Sequence, residues 1–219
     1  MTTAQLLVNT RIRSTPFSDR VEASGPPTYS VYNHMLLPVV FESIEDDYWH
    51  LKQYVQLWDV SSQRQVELRG PDAGRLMQLM TPRDVSTAAP YRCFYTPLVD
   101  RAGGIVNDPV VLKLADDRYW ISIGDSDVLL WADGLATGLG LDVDVFEPDV
   151  SPLAIQGPNA EELVARVFGE TVRRIGFFRF EEVPFGAHPL RVARTGWSKQ
   201  GGFEIYLDDS SLGPALWDA

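Results

Sequence analysis

Between residues 41 and 57 the apolar positions Phe41, Ile44, Tyr48, Leu51 and Val55 recur at helical intervals, and the acids Glu42, Glu45, Asp46 and Asp47 stand in the early turns. Such spacing gathers the apolar side chains on one helical face, and the acids suit the positive end of the helix dipole. The pattern predicts an amphipathic helix over 41–57. Elsewhere the period shortens to two. Gln65–Arg69, Val110–Leu114, Tyr119–Ile123 and Asp142–Phe146 alternate apolar with polar residues and predict strands, with Asp116-Asp117 turning the chain between the second and third. Antiparallel hairpins follow from connections that short.

One pattern occurs twice. Residues 68–80 (LRGPDAGRLMQLM) and 155–168 (IQGPNAEELVARVF) both run from a strand through Gly-Pro to Asp or Asn, then Ala, then apolar residues at helical spacing. A proline in a first helical turn has no N–H to leave unpaired, and an Asp or Asn side chain can accept orphan N–H groups there. The repeat predicts a duplicated α+β unit, with a boundary near Pro148–Pro152. A weaker echo links RAGGIVNDPVVLKL (101–114) to SKQGGFEIYL (198–207), where a Gly-Gly turn precedes a strand carrying Asp108 or Glu204. Tight turns account for the glycines. They do not account for acids inside strands, where Asp is disfavoured.

Composition narrows the choices. With 45% hydrophobic residues and a net charge of −11, the chain can bury a core, while the basic surface that nucleic acid requires is not favoured. No apolar run reaches the roughly 20 residues of a membrane span, and Met1 to Arg13 lacks the layout of a signal peptide. A cytoplasmic protein is therefore expected, without membrane or nucleic-acid partners. The single cysteine, Cys93, excludes an intrachain disulfide and reads as a reduced packing residue, and His34, His50 and His188 show no metal-ligand spacing. No metal is expected. After Ser210-Ser211, a helix signal at Leu212, Leu216 and Trp217 runs off the end of the sequence, so the chain reads as a fragment.

Several segments together resemble a known family: TRIRSTPFSDRVE (10–22), VYNHMLLP (31–38), WDVSSQRQVEL (58–68), MTPRDVS (80–86), NDPVVLKL (107–114), ISIGDSDV (121–128), AIQGP (154–158) and GWSKQGGFEIY (196–206). The family is the tetrahydrofolate-dependent aminomethyltransferase superfamily, and the resemblance within it is to the dimethylsulfoniopropionate demethylases. The glycine-cleavage T-proteins share the WDVS, Gly-Gly-to-Asp, QGP and Gly-Gly-to-Glu landmarks. They usually read TGYTGE where this chain has TGWSKQ at 195–200, a departure that favours the demethylase branch.

The resemblance implies an α+β fold. Two ferredoxin-like, antiparallel-sheet folate-binding domains, over about 1–150 and 151–219, would belong to a three-domain cloverleaf whose C-terminal β-barrel is missing here. It implies tetrahydrofolate as cofactor, with Asp108 as the catalytic acid near the N5/N10 edge, Glu204 holding the pterin, and Tyr95 and Trp197 as aromatic folate contacts. A carboxylate suits the donor-rich edge of a pterin, and flat rings suit its face. The methyl donor it implies, a small sulfonium zwitterion, suits aromatic faces, worth roughly 0.5–2 kcal/mol per ring. Phe17, Tyr32, Trp197 and Tyr206 are the candidates for that pocket. Glu204 and Tyr206 should share one strand face, while Phe203 reads as core. Two alternatives stay open, a glycine-cleavage-type aminomethyltransferase and a non-catalytic or tRNA-modification folate-binding paralogue. A homodimer is also left open.

Overall fold

A computed structural model of the chain describes residues 7–219. Residues 1–6, and with them half of the segment read above as lacking a signal peptide, lie outside the described residues. Helix α1 (Ser18–Ala23) leads into the hairpin of β1 (Thr28–Tyr32) and β2 (Met35–Val40), then α2 (Ile44–Gln53) and β3 (Gln56–Asp59). Next come β4 (Gln65–Arg69), α3 (Ala73–Met80), β5 (Arg92–Tyr95), β6 (Leu98–Val99), β7 (Ile105–Asn107), β8 (Val110–Ala115), β9 (Arg118–Ser122), α4 (Val128–Leu139) and β10 (Asp144–Phe146). The chain closes with β11 (Ser151–Gln156), α5 (Ala160–Phe168), β12 (Phe180–Phe185), β13 (His188–Ala193), β14 (Gly202–Leu207) and α6 (Gly213–Asp218).

The duplicated pattern folds into two five-stranded antiparallel sheets with the orders β10-β4-β9-β8-β5 and β3-β11-β14-β13-β12. Position by position the sheets correspond, but the outermost strand at one end of each is exchanged. Strand β3 leads into β4 along the chain yet pairs with β11, whereas β10 leads into β11 yet pairs with β4.

Burial on both faces explains the apolar strand sequences. One face of the first sheet packs on α3 and α4 through Val66, Leu68, Tyr119, Ile121, Leu76 and Ala132. One face of the second packs on α5 and α6 through Leu153, Ile155, Phe203, Ile205, Val164 and Leu216. The remaining two faces meet at Cys93, Leu112, Trp120, Phe180, Ala193 and Tyr206. The order of layers is helix, sheet, sheet, helix.

Both Gly-Pro corners are built alike. Gly70 and Gly157 have φ of +142° and +122°, and each lies against the carbonyl of a crossing segment, Asp142 or Tyr54. The amides of Asp72 and Asn159 donate to those same two carbonyls, at 3.1 and 3.2 Å. The expected side-chain caps do not form. Pro71 and Pro158 precede the helices, and the Asp72 carboxylate accepts instead from the amide of Asp142 at 2.9 Å. A Cβ on Gly157 would lie 2.4 Å from the Tyr54 carbonyl oxygen. Gly157→Ala is therefore expected to destabilise the protein by about 1–3 kcal/mol or more, read as a lower denaturant midpoint at unchanged slope.

The other expectations meet the structure unevenly. The strands over 65–69, 110–114 and 119–123 and the Asp116-Asp117 turn form within a residue or so of the predicted bounds. The helix predicted over 41–57 is shorter, running Ile44–Gln53 with the Ser43 hydroxyl accepting from the Asp46 amide at 3.0 Å. None of its residues is buried, and Ile44 is 79% exposed. Asp209, not Ser210 or Ser211, caps the last turn, accepting from the Ser211 amide at 3.0 Å. Among the described residues no helix is long and apolar enough to cross a membrane.

Candidate functional site

Asp108 does not lie inside a strand. It sits with Pro109 in the break between β7 and β8, where it is exposed, and β7 pairs only with β6 in a small ribbon while β14 lies at the middle of its sheet. The Gly-Gly echo thus has no structural counterpart. What holds Asp108 is its neighbour, the buried Asn107, which accepts from the Gly124 amide at 2.9 Å and donates to the Ser126 hydroxyl at 2.8 Å. A second buried amide, Asn33, forms the tip of the β1–β2 hairpin with φ of +48°. It donates to the carbonyls of Ser62 and Gly124 at 2.8 and 3.0 Å. The loop after β9 is therefore gripped from two sides.

That grip gathers two phenols around Asp108. The Tyr95 hydroxyl, at the end of β5, donates to the Asp108 carboxylate at 3.1 Å, and this bond to the carboxylate raises its pKa above the ordinary phenol value. Tyr32, carried in by the hairpin, has its hydroxyl over Gly124 beside the Asn107 amide. Burial, with further contributions from the charges of Asp125 and Asp108, raises its pKa as well. An exposed acid with two neutral phenols close by can bind and orient a polar ligand, and can take up a proton released there.

Glu204 is of a different kind. It lies buried on β14, on the face turned toward the first sheet, with Tyr206 on the same face as alternation predicts. Its Oε2 accepts from the Thr195 hydroxyl and, at 3.5 Å, from the Tyr206 hydroxyl. Burial pushes its carboxyl pKa up, and those two bonds only partly offset this. Among the described residues, Oε1 takes no protein hydrogen bond. A buried carboxyl with one oxygen left without a bond from the described residues is suited to a ligand that donates hydrogen bonds. Tyr206 also lies close to Ser122, the β9 residue paired with Val110, just beyond Asp108 and Pro109.

The remaining candidates divide. Trp197 is 85% exposed on the loop between Thr195 and Gly202, a flat ring offered outward next to the Glu204 strand. Tyr206 is fully buried with its ring 6.2 Å from that of Trp120, so it presents its hydroxyl rather than an open face. Phe17 corrects the sequence reading. It is fully buried in the core under α5 and α6, 5.9 Å from the Trp217 ring, and serves packing rather than a pocket. Phe203 lies in that same core, as read. Burial and the charge of Glu204 push the Cys93 thiol pKa up, so it is not a ready thiolate. No cluster of metal-ligating residues occurs among the described residues.

Comparison with known proteins adds context to this geometry. A protein-family model described as GCVT N-terminal domain matches residues 17–219. The dimethylsulfoniopropionate demethylase DmdA of Ruegeria pomeroyi is 56% identical over 216 residues, covering 99% of this chain and 59% of its own length. An aminomethyltransferase of Lysinibacillus sphaericus is 30% identical over 94% of this chain and 57% of its own. The chain thus spans under three fifths of the length of these curated relatives. Among solved structures, the glycine cleavage system aminomethyltransferase T from Bartonella henselae superposes with a TM-score of 0.82 at 20% identity, over 94% of this chain and 56% of that one. That likeness shows the fold.

Proposed function

Because the chain belongs to the GCVT N-terminal domain family, we propose that its protein is a tetrahydrofolate-dependent demethylase. It would move a methyl group from dimethylsulfoniopropionate to N5 of tetrahydrofolate, giving 3-methylthiopropionate and 5-methyltetrahydrofolate. The observation that carries the folate part is Glu204, a buried acid with one oxygen unbonded by the described residues, tied through Thr195 to the loop that bears the exposed ring of Trp197. The choice of donor is supported by the 56% identity to the Ruegeria demethylase and by the TGWSKQ run. Residues 1–150 and 151–219 are taken as the two folate-binding domains, and the protein is placed in the cytoplasm.

Tetrahydrofolate, when bound, supplies the nitrogen lone pair that accepts the methyl group. The chain's own groups do the holding. Glu204 accepts from the donor edge of the pterin, while Trp197 and Tyr95 cover its face. Tyr32, with Trp197, faces the sulfonium, and the Tyr206 hydroxyl keeps Glu204 in place. Asp108 orients the reacting region and stabilises the positive charge that develops there, taking up the proton that the transfer releases. A sulfonium methyl is already activated by its leaving group, so alignment in a dry pocket is the main catalytic device.

The direct test is incubation of protein of the relatives' full length with tetrahydrofolate and dimethylsulfoniopropionate. Appearance of 5-methyltetrahydrofolate is expected, and its absence would remove the demethylase reading. A glycine-cleavage-type aminomethyltransferase is the second reading, favoured by the 30% identical relative, and would give no such product from this donor. Because a pterin donor edge binds the ionised carboxylate, folate binding at mildly acid pH is expected to release a proton from Glu204. Calorimetry in buffers of differing ionisation heat measures it, and the release should vanish in Glu204→Gln.

A further inference from the structure

The Gln-Gly-Pro corner at 156–158 carries a residue that helix initiation does not explain. Gln156 is 1% exposed at the end of β11, where it is paired with Gly202. Its amide lies flat between two glycines. A Cβ on Gly196 would come 2.2 Å from its Oε1, and a Cβ on Gly202 would come 2.8 Å from its Nε2. The two N–H groups of Nε2 are shared among three carbonyls, that of Ile155 at 3.2 Å and those of Thr195 and Phe203 both at 3.3 Å. The Oε1 accepts from the Ser198 hydroxyl at 2.7 Å, and that hydroxyl in turn accepts from the Gln200 amide at 3.1 Å.

These contacts bracket the two proposed folate contacts. Gly196 and Ser198 are the immediate neighbours of Trp197, one lying against the amide and the other bonded to it. Thr195 and Phe203 flank the other contact, since Thr195 bonds the Glu204 carboxylate through its hydroxyl and Phe203 directly precedes Glu204. A buried primary amide has two N–H donors and an acceptor oxygen, and here they reach the loop, β14 and its own strand rather than a helix cap. Gln156 is sealed from any ligand, so it acts through its neighbours. We propose that Gln156 is a positioning residue that locks the 195–202 loop to β14, fixing where the Trp197 ring stands relative to Glu204. The inference rests on the folate reading for its consequence and on geometry for the lock itself.

Two variants test it. Gln156→Met keeps the shape and removes the bonds, while Ser198→Ala removes the hydroxyl's two part-buried bonds, to Gln156 and from the Gln200 amide, and leaves the core intact. Tetrahydrofolate affinity is measured by calorimetry for the unsubstituted protein, Ser198→Ala, Gln156→Met, Trp197→Ala and Ser198→Ala/Trp197→Ala. The anisotropy of Trp197 emission, isolated as the difference from Trp197→Phe, is recorded on ligand-free protein. Ser198→Ala should weaken binding by about 3- to 10-fold with Trp197 present and by under about twofold without it, the signature of one group acting through another. Gln156→Met should weaken binding by about tenfold or more, as expected for loss of several buried hydrogen bonds. Both variants should lower the Trp197 anisotropy. If the unsubstituted protein does not bind tetrahydrofolate, the folate reading fails, and the anisotropy alone decides the lock. Unchanged anisotropy in Ser198→Ala, or equal effects of Ser198→Ala with and without Trp197, would overturn the positioning role.

Discussion

Replacement of Asp108 by Asn is expected to lower turnover by about 10²- to 10³-fold while changing tetrahydrofolate affinity by no more than about threefold. Asparagine keeps the size and one acceptor oxygen, so the bond from the Tyr95 hydroxyl can persist. What it loses is the negative charge and the capacity to take a proton. Both matter where positive charge develops during transfer and matter little in the bound ground state. The split between kcat and affinity is the diagnostic, measured by steady-state kinetics and calorimetry in protein of the relatives' full length. Equal turnover would take Asp108 out of the chemistry. Equal losses in both quantities would make it a binding residue only.

Glu204→Gln is expected to do the opposite, weakening tetrahydrofolate by about 10²-fold or more, as loss of a buried charge-assisted pair does. In the ligand-free protein the same change should stabilise. The folded-state pKa of Glu204 is raised by burial, so the folded chain holds its proton more tightly than the unfolded one. At pH below the ordinary glutamate value both states are neutral, and the group contributes nothing. As pH climbs from there through the raised folded value, the unfolded chain gives up its proton first and stability falls. Glutamine carries no proton to lose and still accepts from Thr195. Melting temperatures compared at pH 5 and pH 8 should show the advantage of Glu204→Gln growing with pH. A pH-independent gap would mean that Glu204 does not titrate differently in the two states. A site residue that costs stability in the free protein and repays it on binding is what a ligand-directed acid should look like.

Local pattern made much of this architecture legible. The duplicated Gly-Pro corners, the helices after them and the strands β4, β8 and β9 follow from periodicity and turn chemistry, because one apolar face decides each element. The exchange of β3 and β10 did not follow. Neither short strand names its partner by its own sequence, and in the structure the carbonyls of Tyr54 and Asp142, just before β3 and β10, tie each to the Gly-Pro corner of the sheet it joins. Pro109 was a usable signal that Asp108 ends a strand rather than occupying one, since proline breaks a ladder. At the site, the chemistry-bearing Asp108 and Glu204 stood out. The buried polar residues that hold them, Asn33, Asn107, Thr195 and Gln156, did not, because a polar residue shows its worth only through partners distant in sequence. Phe17 misled for the converse reason. An aromatic ring in a distinctive segment looks the same whether it faces a substrate or a helix.

The exchanged edge strands have a consequence for how the molecule comes apart. A cut in the connection between α4 and β10, at 140–143, would send β3 away with the half it does not pair with, and β10 likewise. Each fragment would keep a strand with no partner and lose the one that closes its own sheet, leaving bare N–H and C=O groups along both margins. Arg13 and Arg64 reinforce the join by meeting Glu147, next to β10, at 2.7 and 2.5 Å. The halves are in effect buckled together, each carrying the tongue of the other's clasp. Heat or denaturant should therefore release both in a single cooperative transition rather than one after the other.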